Sequence, residues 1–195
     1  RMYQYLNYRG VSNSTAEMFG VGYNPKFDSI VFPIKDSNGK IAGWQERGIT
    51  QKTFYNQTKE NALYGVDYLY KNLKYITFFV VVESIIDCLI LWSYGIPSVA
   101  TLGAGVSQEQ IDVIKNIPIR TVVLAFDNIK IDNAGYKAHR QVGKELLNMK
   151  ALYQFNFPDG MTDFGDCVNF PYVDGVPWVI KNFQTLVTPF SFRRG

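Results

Sequence analysis

The most constraining feature of this chain is a nearly continuous apolar run over residues 76–82, closed abruptly by Glu83. A run rich in β-branched and aromatic residues, without polar alternation, is what a strand covered on both faces requires. Such strands belong to parallel sheets, in which crossover helices cover both sides. Three further runs of this kind occur over residues 97–102, 120–126 and 151–157. The segments between them read as helices over 83–93, 108–115 and 133–148, and a last short helix is predicted over 163–170. Gly95, after Tyr94, is a C-terminal stop for the first of these helices. The alternation predicts an α/β fold: an open, mainly parallel sheet with flanking helices.

The first seventy residues read as short strands and turns. Residues 28–34 and 40–47 form two strands, and Asn38-Gly39 between them is a strong hairpin signal. A polar connection over 48–61 leads to a short helix near Tyr68. The change of pattern at Lys71-Asn72 divides the chain. Residues 1–72 form a small mixed α+β subdomain and 73–171 the α/β domain. Residues 172–195 are an aromatic, proline-spaced extension with no assigned role.

With 47% hydrophobic and 19% charged residues, the 195-residue chain has the composition of a core-forming protein rather than a disordered one. Its net charge of +3 permits contact with polyanions without demanding it. Cys88 and Cys167 lie far apart in apolar surroundings, and His139 is the single histidine. No zinc site is therefore expected within this chain. The thiols read as buried groups in a reducing compartment. No signal peptide is visible and the longest apolar run is too short to cross a membrane, so the expectation is cytoplasmic (host cytoplasm if viral), with no membrane partner.

Ligands of open parallel sheets bind outside the carboxyl ends of the strands, and acids recur there. Glu83 follows the first strand and opens the helix, and Asp87 is four residues on, so both carboxylates face the same way at its start. Asp127 ends the third strand and Asp132 precedes the next helix. Asp163 and Asp166 flank the start of the last short helix. Any one of these taken alone is as readily a surface acid or a helix cap. Together they would repel one another without a cation among them. Oxygen-rich, histidine-free clusters select hard ions, so Mg²⁺ or Mn²⁺ is expected, with phosphoryl transfer as the natural chemistry. Gly103, in Leu102-Gly103-Ala104-Gly105, adds a glycine turn at the same edge, where a phosphate could approach.

Val81-Val82-Glu83-Ser84-Ile85-Ile86-Asp87 resembles the glutamate motif of the Toprim domain. Phe126-Asp127 with Asp132-Asn133-Ala134-Gly135 resembles its Asp-x-Asp-x-Ala-Gly motif, and Thr162-Asp163-Phe164-Gly165-Asp166 the later acidic stretch of primases. Tyr8-Arg9-Gly10, Val31-Phe32-Pro33-Ile34 and Gly43-Trp44-Gln45-Glu46-Arg47 look like the basic subdomain of bacterial and bacteriophage DNA primases; Tyr55-Asn56 and Lys59 continue the match. The resemblance implies a Toprim-type sheet and metal-dependent synthesis of short RNA primers on single-stranded DNA from ribonucleoside triphosphates.

It further implies Glu83 and Asp87 as catalytic residues, and Asp127, Asp132, Asp163 and Asp166 as ligands of two metal ions. Arg47, Lys52, Asn56, Lys59 and Gly103 would contact nucleotide or template. A replicative helicase and a zinc-binding module outside this chain are the implied partners. Four departures stand out. Asp127 and Asp132 are separated by Asn128-Ile129-Lys130-Ile131, three residues more than the family spacing. Ser84 replaces the usual glycine, the arginines that commonly precede the Phe-Pro-Ile strand are absent, and Lys52 comes one place early. The lengthened loop either bulges outward or displaces Asp127. A Toprim-type nuclease and a non-catalytic nucleic-acid-binding replisome module are the alternative readings.

Overall fold

The structure, a computed structural model, describes residues 1–51, 53–59, 61–103 and 105–193. The chain opens with two short helices, α1 (Met2–Tyr8) and α2 (Asn13–Met18), where strands and turns were expected. Only Met2 and Leu6 of α1 are buried, too few for a helical period to stand out. Helix α2 is started by Ser12, whose side chain accepts from the Thr15 backbone N–H.

Four strands then form an antiparallel sheet in sequence order: β1 (Gly22–Asn24), β2 (Ser29–Lys35), β3 (Ile41–Gly48) and β4 (Phe54–Thr58). The β2–β3 hairpin is the one expected. Strand β4 lies within the segment expected to be a polar connection. As an edge strand it has one neighbour and little to bury, so its sequence is free to be polar.

After α3 (Val66–Lys71) come the elements of the second sheet. These are β5 (Phe78–Val82), α4 (Ile85–Ser93), β6 (Ser98–Ala100), α5 (Gln108–Asn116), β7 (Thr121–Leu124), α6 (Asn133–Leu146) and β8 (Ala151–Phe155). A 3₁₀ helix covers Phe164–Asn169. The remaining residues supply β9 (Tyr172–Val173), β10 (Val176–Pro177), α7 (Trp178–Lys181), α8 (Phe183–Leu186) and β11 (Val187–Pro189). The sheet order is β11-β8-β7-β5-β6, parallel throughout except for the antiparallel edge strand β11. The unassigned C-terminal segment thus closes one edge of the sheet.

Alternate residues of β5 explain its continuous apolar run. Phe79 and Val81 join a core with Val122, Leu124 and the helical residues Ile111, Ile114, Ala138 and Val142. Val80 and Val82 join the opposite core, with Ile86 and Leu89 of α4 and Ile30, Phe32 and Ile34 of β2. Helix α4, caught between the two sheets, is apolar nearly all round, as a fully enclosed helix must be. The two sheets therefore share one core. The chain passes from β5 through α4 to β6 on one side and then through α5 to β7 on the other, and this reversal opens a crevice at the carboxyl ends of β5 and β7.

Candidate active site

Glu83 is the first residue beyond β5, and it stands before helix α4 rather than in its first turn. Ser84 is the N-cap: its Oγ accepts from the Asp87 backbone N–H at 3.1 Å, while its hydroxyl donates to Asp87 Oδ2 at 2.5 Å. Glu83 and Asp87 therefore do not share a helix face. Glu83 is only 6% exposed, and its Oε1 has no hydrogen-bond partner among the described residues. Its carbonyl accepts from the Gly103 N–H at 3.1 Å, which seats the glycine loop against the end of β5. Leu102, just before it, adopts a left-handed φ of 74°.

Asp87 is 2% exposed and faces the fold. Its Oδ1 accepts from the Gly165 backbone N–H at 2.9 Å. Through this one carboxyl group, the start of α4 is tied to the 3₁₀ helix that follows β8.

The long loop after β7 bulges outward. Asn128 is buried and holds its base: its N–H donates to the Thr162 carbonyl at 2.7 Å, and its Nδ2 to the Met161 carbonyl at 2.8 Å. Its own carbonyl accepts from the N–H groups of Ile131 and Asp132. The extra length emerges as exposed Lys130 and Ile131, the latter 64% exposed. Asp127 stays at the crevice, with its backbone amide beside the Glu83 carboxylate. Asp132 caps α6, and its Oδ2 accepts from the Gly135 N–H. Asp163 caps the 3₁₀ helix through the Asp166 N–H at 3.1 Å, and Asp166 Oδ2 accepts from the Thr162 N–H at 2.7 Å.

Opposite these acids stands a basic and aromatic wall. Arg9, at the end of α1, reaches over Gly165, where a β-carbon would lie 2.4 Å from its guanidinium Nη2. Its Nε is buried without a hydrogen-bond partner among the described residues. Arg47 of β3 lies over the rings of Tyr5, at 5.6 Å, and Phe54, at 5.2 Å. Arg9, Arg47, Gln45 and Phe54 line, together with Asp127, Asp163 and Asp166, a cleft of about 360 Å³. In the sequence Arg9 belongs to the Tyr8-Arg9-Gly10 motif without standing out as a site residue. Its signal was a lone arginine beside a glycine, and only the fold carries it to the acids.

Burial and mutual repulsion shape the electrostatics. Burial, reinforced by Asp132, Asp87 and Asp163, pushes the Glu83 carboxyl up to about 7 against the relief its Asp127 amide contact gives. Burial followed by Glu83 and Asp163 pushes Asp127 up to about 7 as well. Burial and Asp163 hold Asp87 well above the carboxylate range. Burial and Asp166 raise Asp163, with Arg9 opposing. These are carboxylates waiting for positive charge. Their oxygen-only chemistry and the partnerless Glu83 Oε1 fit a hard divalent cation. Among the described residues no three acidic, histidine or cysteine side chains converge into a finished ligand set.

The fold does not gather every candidate here. Lys59 lines a separate groove with Lys35, Asp36 and residues of α5, away from the acids, because β4 carries it past the sheet edge. Asn56 is exposed on β4, paired in register with Gln45. Lys52 lies outside the described residues.

Residues 80–168 match the family model described as "Toprim-like", and residues 4–71 one described as "Protein of unknown function (DUF3991)". The DNA primase of Thermotoga maritima is 29% identical over 197 aligned residues, covering 78% of this chain and 34% of that protein. Among solved structures, a primase catalytic domain bound to single-stranded DNA superposes with a TM-score of 0.75 at 21% identity, over 96% of this chain and 71% of that one. The Aquifex aeolicus primase, comprising zinc-binding and RNA polymerase domains, gives 0.73 at 22% identity, over 94% and 54%. The chain carries a Toprim-like domain within the fold of a bacterial-type DNA primase catalytic core. It spans little more than a third of the curated relatives named DNA primase in Thermotoga and Borreliella. In this primase-core fold the Toprim-like segment supplies the acids, and the segment before it supplies Arg9, Arg47 and Phe54. No helix among the described residues is long and apolar enough to cross a membrane.

Proposed function

We propose that this chain is the RNA-polymerising core of a DNA primase, joining ribonucleoside triphosphates into short primers on a single-stranded DNA template. The observation that carries the reading is one cleft lined by both acids (Asp127, Asp163, Asp166) and arginines (Arg9, Arg47). A nucleoside triphosphate with its divalent ions presents the same two charges. The names of the relatives and the DNA-bound structural neighbour support it.

In this reading Asp127, Asp132, Asp163 and Asp166 would hold two Mg²⁺ or Mn²⁺ ions. When bound, such ions neutralise charge developing on the transferred phosphoryl group and favour the attacking hydroxyl. The protein does the rest by position. Arg9 and Arg47 present planar guanidinium groups to phosphate oxygens. Glu83, buried at the end of β5 beside the Asp127 amide, is placed to take the proton of the primer 3′-hydroxyl as a general base. Asp87 acts indirectly, fixing Ser84 and Gly165 on either side of the site. The Gly103 turn has open space above it for a phosphate. Asn56 and Lys59, on and just after β4, are template contacts in this reading, as is Lys52, which lies outside the described residues. Residues 1–72, 73–171 and 172–195 are its three segments. A zinc-binding module and a replicative helicase lie outside this chain.

The test is primer synthesis on single-stranded DNA with Mg²⁺ or Mn²⁺ and labelled ribonucleotides. Glu83→Gln and Asp132→Asn should each lose product while keeping the parent circular dichroism spectrum. Normal synthesis by both variants, or DNA cleavage without nucleotides in place of synthesis, overturns the proposal.

A further inference from the structure

Phe54 is out of character for its position. It lies on edge strand β4, lines the acidic cleft and is 45% exposed, while the cleft wall around it consists mainly of charged and polar groups. In the register of the sheet it pairs with Arg47, whose guanidinium lies over its ring at 5.2 Å. Among the described residues no other aromatic ring packs against it. A phenyl ring left half open to water in a cleft costs hydration free energy unless something flat covers it.

Building on the polymerase reading above, we propose that Phe54 is a stacking platform for a nucleobase, a binding role distinct from the phosphate and metal contacts of the acids and arginines. Three observations converge on it. The ring opens into the cleft that holds the phosphate-directed groups, so a nucleotide reaching the acids brings its base near. Arg47 restrains one side of the ring through a cation–π contact, so the platform is held in place before the base arrives. Every base has a π-face, so stacking binds without reading sequence, which suits a site that must accept each nucleotide in turn. The base belongs to a nucleoside triphosphate or to the template strand; both have the chemistry the ring would recognise.

The experiment places a reporter on the platform. In Phe54→Trp, the indole emission should be quenched on titration with Mg²⁺ and a nucleoside triphosphate, or with a single-stranded oligonucleotide. Inorganic tripolyphosphate and an abasic strand should leave it unchanged. The parent protein is the control, because its Trp44 occupies the alternate face of β3 from Gln45 and Arg47. Phe54→Leu should weaken binding of the quenching ligand by roughly tenfold and raise KM more than it lowers kcat, while Phe54→Tyr restores both. Quenching by the triphosphate assigns the platform to the substrate base; quenching by the oligonucleotide alone assigns it to the template. Equal quenching by tripolyphosphate, or parental affinity of Phe54→Leu for both ligands, overturns the proposal. If no protein polymerises yet base-dependent quenching persists, the platform stands and the polymerase reading falls.

Discussion

Gly135, in the first turn of α6, lies so close to the carbonyl oxygen of Asp127 that a β-carbon on it would fall 2.3 Å from that oxygen and 3.1 Å from Asp132 Oδ2. The absence of a side chain at one position thus sets the spacing of two acids on either side of the bulged loop. Gly135→Ala should push Asp127 off the crevice. We expect Mg²⁺-dependent synthesis to fall by at least about tenfold, the factor that roughly 1.4 kcal/mol represents in a rate. The circular dichroism spectrum should stay parental, and Mg²⁺ titration calorimetry should show weakened binding.

The raised carboxyls of Glu83 and Asp127 make stability depend on pH with a definite sign. Both titrate near 7 when folded, against ordinary values near 4 when unfolded. The folded protein therefore holds protons that the unfolded chain has released between about pH 4 and 7. Stability from these groups is full below the unfolded values and is lost as pH rises through 7. Without metal, the melting temperature should be higher at pH 5.5 than at pH 8. Mg²⁺ should reduce the gap by stabilising the ionised form, and Glu83→Gln should flatten it in metal-free buffer. A metal-free melting temperature that rises from pH 5.5 to 8 contradicts this.

Asp87 offers a clean distinction between positioning and catalysis. Asp87→Ala strips the Gly165 N–H and the Ser84 hydroxyl of buried acceptors, a loss of about 2 kcal/mol, or on the order of 5 °C in melting temperature for a chain of this size. Asp87→Asn keeps an acceptor for Gly165 and offers a donor to Ser84, so it should retain most activity and stability. An Asp87→Asn protein that melts like the parent but makes no primer would place Asp87 in the chemistry itself.

The C-terminal residues are fastened to α6 through another absent side chain. A β-carbon on Gly143 would lie 2.0 Å from Cζ of Phe190, whose ring stacks on His139 at 4.6 Å. His139 Nε2 in turn meets the Ser191 carbonyl at 2.9 Å. Gly143→Ala should loosen residues 187–193, read as faster amide exchange in β11 and faster trimming by a carboxypeptidase. Phe190→Ala should do the same without touching the helix. Unchanged exchange in both variants would show that β11 holds through its pairing with β8 alone.

Much of this was legible in residues 76–82 and 120–126, because strands enclosed on both faces leave little choice of side chain. The acids at their ends followed from the geometry of parallel sheets. What escaped reading had weaker physical signatures. Helix α1 buries only Met2 and Leu6, so its periodicity is hidden among tyrosines. Strand β4 pairs on one side and keeps a polar sequence. The outward bulge at Lys130 and Ile131 depends on Asn128 reaching Met161 and Thr162, partners more than thirty residues away. Arg9 and Lys59 make the same point in opposite directions: one is carried to the acids and the other away from them, by elements whose placement no local pattern encodes.

The contact of Arg9 with Gly165 has a consequence for how the molecule comes into being. The two sides of the cleft come from opposite ends of the chain, so the site's closure is among the least local events in folding, and such contacts form slowly. During synthesis Arg9, Arg47 and the acids that follow β5 and β7 all emerge before residues 163–166, so the cleft cannot close until that last acidic segment arrives. Competence for chemistry should therefore arrive with the slowest refolding phase, later than the helical signal.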